Sequence, residues 1–138
     1  MSRVAVVDRT RLRVVDLDNR NAIDVTAGGD SRLANRQPAW SPDGSRVAWS
    51  AFDRRQSDSP ASLVVATPEG TWRVDHPTVF PPFYLAWRPD GNAVAALAEG
   101  PIGLELTVTD VRSGAAEIVH RGTPLYFCWS GEGGLVLH

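Results

Sequence analysis

The chain has one cysteine, Cys128, so no intrachain disulfide can form. No stretch approaches the ~20 apolar residues of a membrane helix. Met1-Ser2-Arg3 leads into a short strand rather than the roughly 7–15 apolar residues of an export signal. Fourteen basic and sixteen acidic residues are interspersed, for a net charge of −2. With no lysine/arginine run and no basic patch, the electrostatic footprint of a nucleic-acid binder is missing. Neither nucleic acid nor a membrane is therefore expected as a partner. Helical periodicity is absent too. Apolar residues do not recur at i, i+3, i+4, i+7 over any useful length, and ten prolines and twelve glycines punctuate the chain.

Motifs that carry chemistry are also scarce. There is no Gly-x-Ser-x-Gly elbow, no phosphate-cradling Gly-x-x-x-x-Gly-Lys-Ser/Thr and no dinucleotide fingerprint. His76 and His120 lie 44 residues apart at the ends of expected strands and read as equivalent repeat positions. Neither they nor His138 have a partner at metal-ligand spacing. Asp16-Leu17-Asp18-Asn19 opens like a calcium loop but lacks the glycine and glutamate that complete one. No cofactor, metal or catalytic residue is expected.

What is present is a repeat. Pro38-Ala39-Trp40-Ser41-Pro42-Asp43-Gly44 recurs as Leu85-Ala86-Trp87-Arg88-Pro89-Asp90-Gly91 and, degenerately, as Phe127-Cys128-Trp129-Ser130-Gly131-Glu132-Gly133. The tryptophans are 47 and 42 residues apart, a period that marks a repeat architecture. Each copy is an apolar strand ending in Trp, a tight turn and a second strand. Pro pre-sets φ, Asp bonds the backbone ahead and Gly accepts positive φ. Asp43, Asp90 and Glu132 therefore read as turn acceptors, not as paired catalytic carboxylates. Cys128 fills the slot of Ala39 and Ala86 and reads as a small buried hydrophobe. Ser2-Arg3-Val4-Ala5 repeats Ser45-Arg46-Val47-Ala48, so the chain begins in register at the second strand of a unit. Strands are expected near 3–8, 12–17, 22–26, 37–40, 46–51, 62–66, 71–75, 84–87, 93–98, 104–111, 115–120, 125–129 and 134–137.

Four antiparallel strands per repeat is the size of a propeller blade. The Trp-Ser-Pro-Asp-Gly signature followed by an apolar strand resembles the TolB-type family of WD-like repeats. The resemblance covers essentially the whole chain, with Arg88 replacing Ser in the second copy and Gly131-Glu132-Gly133 replacing Pro-Asp-Gly in the third. It implies an all-β fold of β-propeller blades. Residues 1–138 then form one half-propeller domain, with repeats 2–44, 45–91 and 92–133 and a partial strand 134–138 that duplicates 2–6. Propellers host unrelated activities, so the resemblance says little about function. Family members are often periplasmic, whereas the lack of an export signal argues by default for the cytoplasm. In some serine peptidases such a propeller precedes a catalytic domain; no hydrolase domain is present in this sequence.

Three blades do not close a ring, since known propellers have about four to eight. Two copies related by a two-fold axis give six blades, the number the resemblance implies, so a homodimer is expected. Candidate join residues are Val4, Val6, Leu12, Val14, Phe127, Trp129 and Val136. The loop face is expected to carry a protein-binding surface. Its candidates are Phe80, Phe83 and Tyr84 in the rigid apolar link Val79-Phe80-Pro81-Pro82-Phe83-Tyr84, Arg54 and Arg55 in a charged loop, and His76. Tyr84 and Tyr126, each three residues before a Trp, are expected to touch the neighbouring blade. The function implied is a non-enzymatic scaffold that self-associates. The alternatives are a small-molecule or sugar site, or an enzyme, in the central funnel, and a fragment of a larger propeller protein.

Overall fold

The computed structural model describes residues 2–8, 11–26, 33–53, 61–122 and 126–137. Among the described residues there are thirteen strands and no helix. A three-stranded sheet contains β1 (Arg3–Asp8), β2 (Arg11–Asp16) and β3 (Ala22–Asp24). A four-stranded sheet follows, with β4 (Leu33–Trp40), β5 (Val47–Asp53), β6 (Ala61–Ala66) and β7 (Arg73–Thr78). The next four-stranded sheet is β8 (Pro82–Trp87), β9 (Ala93–Gly100), β10 (Gly103–Asp110) and β11 (Ala116–Gly122). Last comes the pair β12 (Phe127–Trp129) and β13 (Leu135–Leu137). Every pairing is antiparallel between strands consecutive in sequence, the meander of a propeller blade. Each of the thirteen expected strands is found.

The turns form for the reasons their residues suggest. In the first, Ser45 donates its backbone N–H (3.0 Å) and hydroxyl (2.7 Å) to Asp43 Oδ1, and Ser41 donates its hydroxyl to the same oxygen (2.9 Å). In the second, the Asn92 N–H donates to Asp90 Oδ1 at 2.9 Å. There Arg88 replaces the serine hydroxyl, its Nε donating to Asp90 at 2.9 Å. Gly44 and Gly91 take φ of 74° and 75°, a left-handed conformation open to glycine at little cost.

The third turn differs in length. Six residues separate Trp40 from its cross-strand partner Val47, and Trp87 from Val94, but five separate Trp129 from Leu135. The residue lost corresponds to Ser45 and Asn92, the donors to the turn aspartate. Glu132 replaces that aspartate, so the acceptor and its donor disappear together. This moves the expected register: residues 135–137, not 136–138, occupy the places of Val4–Val6.

Three apolar clusters lie between successive sheets. Leu12, Val14 and Val25 pack against Val47, Trp49 and Val64. Ala48, Leu63 and Val65 pack against Leu85, Trp87, Val94 and Ala96. Ala95, Leu97 and Leu106 pack against Phe127, with Trp129 and Leu135 at the margin. Strand alternation places one face of each middle sheet in one cluster and the other face in the next. The signature tryptophans latch the sheets together as well. Trp87 Nε1 donates to the Ala39 carbonyl (2.8 Å), and Trp129 Nε1 donates to the Ala86 carbonyl (3.0 Å). Each indole thus bonds the residue preceding the Trp of the sheet before it. Trp49, outside the signature, is fully buried and donates to Asn35 Oδ1 at 2.9 Å.

Leu12 and Val14, expected at a dimer join, are instead buried inside the chain. Their face of β2 is turned toward the second sheet. Val4 and Val6 lie on the opposite face, open at 40% and 41%. At the other end Val136 is open at 41%, whereas Phe127 is buried and Trp129 partly buried against the third sheet. Cys128 is exposed, which corrects the expectation of burial. Its counterparts Ala39 and Ala86 face a following sheet, and none covers the Cys128 side among the described residues.

Candidate functional site

The innermost strands β4, β8 and β12 are neighbours in space. The first two carry a register slip at corresponding places, between Arg36 and Ala39 in one and between Pro82 and Tyr84 in the other. A bulge leaves an extra residue unpaired and re-aims its neighbours. At the slip Gln37 adopts φ of 60°, and Arg36 and Gln37 are exposed. The corresponding residues of β8, Phe83 and Tyr84, are 43% and 48% exposed, and Tyr126, just before β12, is 67% exposed. Tyr84 is held by Phe127, their ring centroids 5.4 Å apart in an edge-to-face arrangement. The expected contact of Tyr84 with the neighbouring blade is present, and its ring remains half open. Arg36, Gln37, Phe83, Tyr84 and Tyr126 are thus all open, at matching distances before the signature Trp on or beside the three inner strands.

Phe80 sits elsewhere. With Pro77, Val79, Pro82, Ala98 and Ile118 it lines an apolar groove of about 160 Å³ between the second and third sheets. Glu105 closes the groove, its carboxylate accepting from Arg121 Nε at 3.3 Å. His76 is not on an open face. It is buried on β7 beneath the turn before β11, where a Cβ on Gly114 would meet its Nδ1 at 3.0 Å. Its Nε2 is buried with no hydrogen-bond partner among the described residues. Burial lowers its pKa below 6.5, partly opposed by the carboxylates of Asp75 and Asp110. β7 runs on past His76 to Thr78, and the next blade's turn packs over the His76 ring, so a position taken for a strand end is an interior one. Arg54 and Arg55 lie outside the described residues.

The shifted acids belong to turns. Three hydrogen bonds from Ser45 and Ser41 hold Asp43 down at about 2. The Arg88 guanidinium and the Asn92 N–H lower Asp90. The Ser113 and Arg112 N–H groups lower Asp110. Asp16 makes a similar turn contact, accepting from the Asp18 N–H at 2.8 Å. Among the described residues no group of three or more His, Cys, Asp or Glu is arranged to hold a metal ion. Among them, too, no helix is long and apolar enough to cross a membrane.

Sequence reasoning picked out Phe83 and Tyr84 but not Arg36, Gln37 or Tyr126 as their companions. The available signal was the distance from the signature Trp: Arg36 and Phe83 stand four residues before it, Gln37, Tyr84 and Tyr126 three.

The sheets, their meander order and the tryptophan latches define an all-β chain of propeller blades. Solved structures give that class a more particular form. TolB from Acinetobacter baumannii superposes with a TM-score of 0.65 at 19% identity, over 89% of this chain and 30% of that one. The acylaminoacyl peptidase of Pyrococcus horikoshii gives 0.66 at 15% identity, over 92% and 23%. The oligogalacturonate lyase of Vibrio parahaemolyticus gives 0.62 at 17% identity, over 91% and 38%. The fold is that of a TolB-like β-propeller, and this chain spans between 23% and 38% of the length of these three proteins. No family model matches the sequence, and no curated protein gives a significant match.

Proposed function

We propose that this chain is a non-enzymatic TolB-like scaffold that self-associates and presents the line of Arg36, Gln37, Phe83, Tyr84 and Tyr126 to a protein partner. One observation carries the reading: among the described residues, the three most exposed aromatics, Phe83, Tyr84 and Tyr126, lie on or beside adjacent inner strands, while the groups with shifted pKa lie in turns or between sheets. A catalytic funnel gathers perturbed acids and bases around a cavity. Here those groups have structural partners, and the open surface carries rings and a guanidinium, the residues that anchor protein contacts.

Peptides selected on the whole protein by phage display test this. They should lose at least tenfold in affinity for the Phe83→Ala/Tyr84→Ala double variant, whose substituted rings are about half exposed. Peptides that bind both proteins equally would overturn the proposed face.

The structural neighbours include a lyase and a peptidase, and the chain is short beside them. A second reading therefore makes it one arc of a larger propeller whose funnel binds a small molecule or sugar. Calorimetric titration with oligogalacturonate, giving heat that the double variant abolishes, would favour that reading.

A further inference from the structure

Among the described residues the two end sheets occupy different strand places of a blade. In the complete sheets the strand ending in Trp is innermost and three others follow it. Among the described residues the first sheet, β1–β2–β3, holds the second, third and fourth places with no strand at the innermost; β12 and β13 hold the first and second. An open hollow of about 480 Å³ lies beside the vacancy, lined by Arg3, Trp40, Ser41, Pro42, Asp43 and Gly44. At the two complete joins, the corresponding Trp donates its indole N–H to an alanine carbonyl of the preceding innermost strand. Trp40, the third signature Trp, has no such acceptor among the described residues. The residue that stands where Ala39 and Ala86 stand is Cys128.

We propose that two copies close by strand exchange: Phe127–Trp129 of one copy enters the hollow of the other and pairs with its β1 in place of β13. This rests on the self-association proposed above. Register fixes the contacts. Val4 corresponds to Val47 and Val94, which face Trp40 and Trp87. Trp129 then faces the partner's Val4, Cys128 the partner's Ala5, and Phe127 the partner's Val6. Val4 and Val6 replace Leu135 and Leu137 over the third sheet, one apolar pair for another. The Cys128 carbonyl becomes the acceptor for the partner's Trp40. A two-fold axis generates the second join.

Of the two strands competing for the second place, β13 yields. It makes three cross-strand pairs with β12, whereas β1 makes six with β2 and contributes Ala5 and Val7 to the first core cluster. The connection that must reopen is the shortened turn with Gly131, Gly133 and Gly134, without the proline and aspartate of the other two. A permissive connection of this kind is where strand exchange is least costly.

Cys128 is the sole native thiol, so disulfide trapping reads the pairing directly. Residues directly opposite in antiparallel strands lie within bridging distance. Oxidised Ala5→Cys should run as a covalent dimer on non-reducing gels, with mass spectrometry placing the bond between position 5 of one copy and position 128 of the other. Val136, opposite Cys128 in the unexchanged pair, gives the converse. Oxidised Val136→Cys should lock β13 in place and be monomeric by light scattering, and reduction should restore the dimer. Trp40→Phe, which removes only the N–H, should raise the dimer dissociation constant roughly tenfold over its two joins without changing the fold. A wild-type dimer with no cross-link in Ala5→Cys, unaffected by the Val136→Cys lock, would overturn the exchange and leave self-association standing. A monomer at high micromolar concentration would overturn both.

Discussion

At the scale of single residues, the same side chain type does one job throughout. Asp16, Asp43, Asp90 and Asp110 each accept a backbone N–H two residues ahead. Because a folded-state pKa below the unfolded value reflects a stabilised carboxylate, Asp43 contributes its stability above pH 3.8, and the contribution is lost as pH falls toward about 2. Asp43→Asn should therefore flatten the acid limb of the stability curve in that window, as read by denaturant melts at stepped pH. His76 also has a folded value below its unfolded one, but for a base, so its contribution is complete above pH 6.5 and decays as the pH falls below it. That slope should vanish in His76→Leu. Trp87, 8% exposed and latched to Ala39, should cost roughly 3–5 kcal/mol on truncation to Ala. Trp87→Phe, which keeps most of the packing, should cost nearer 1–2 kcal/mol. Thermal or urea melts separate the two; a cost below ~1 kcal/mol for the Ala variant would remove Trp87 from the core.

At the scale of elements, strands were legible because turn chemistry brackets them and small or β-branched residues fill them. Thr71 and Trp72 show the limit: the expected strand 71–75 begins at Arg73, because the Thr67 hydroxyl accepts from both the Thr71 and Trp72 N–H groups and holds them in the turn. The bulges were not legible. A slip is decided by what lies across the ladder, and neither Arg36-Gln37 nor Phe83-Tyr84 carries the glycine that often marks one. The Arg36-Gln37 part of the candidate face depends on such a slip, which is why Phe83 and Tyr84 were found without it. His76 was misplaced for a related reason: an edge position in one sheet is interior once the next sheet's turn packs on it. The Gln37 bulge is testable. A side chain at φ of 60° costs on the order of 1–2 kcal/mol, so Gln37→Gly should raise stability by several tenths of a kcal/mol despite its entropy. Gln37→Val should lower it by more than ~1 kcal/mol.

At the scale of the whole molecule, stability is a sum of sheets and the joins between them. Among the described residues the two middle sheets each have a neighbour on both faces, while β1–β3 and β12–β13 have one each. A single chain should therefore open from its ends inward. Amide groups of β2 and β12 should exchange with solvent faster than those of β6 and β9, since local opening requires breaking one join instead of two. The ring closure proposed above would add a join at each end sheet and tie it to concentration by mass action. Hydrogen exchange followed by mass spectrometry at low and high micromolar concentration should show protection rising in β1, β2 and β12 and changing little in β6 and β9. Protection of the end sheets that already equals that of the middle sheets, and does not vary with dilution, would mean that the open edges are shielded within one chain and that no second copy is needed to complete the fold.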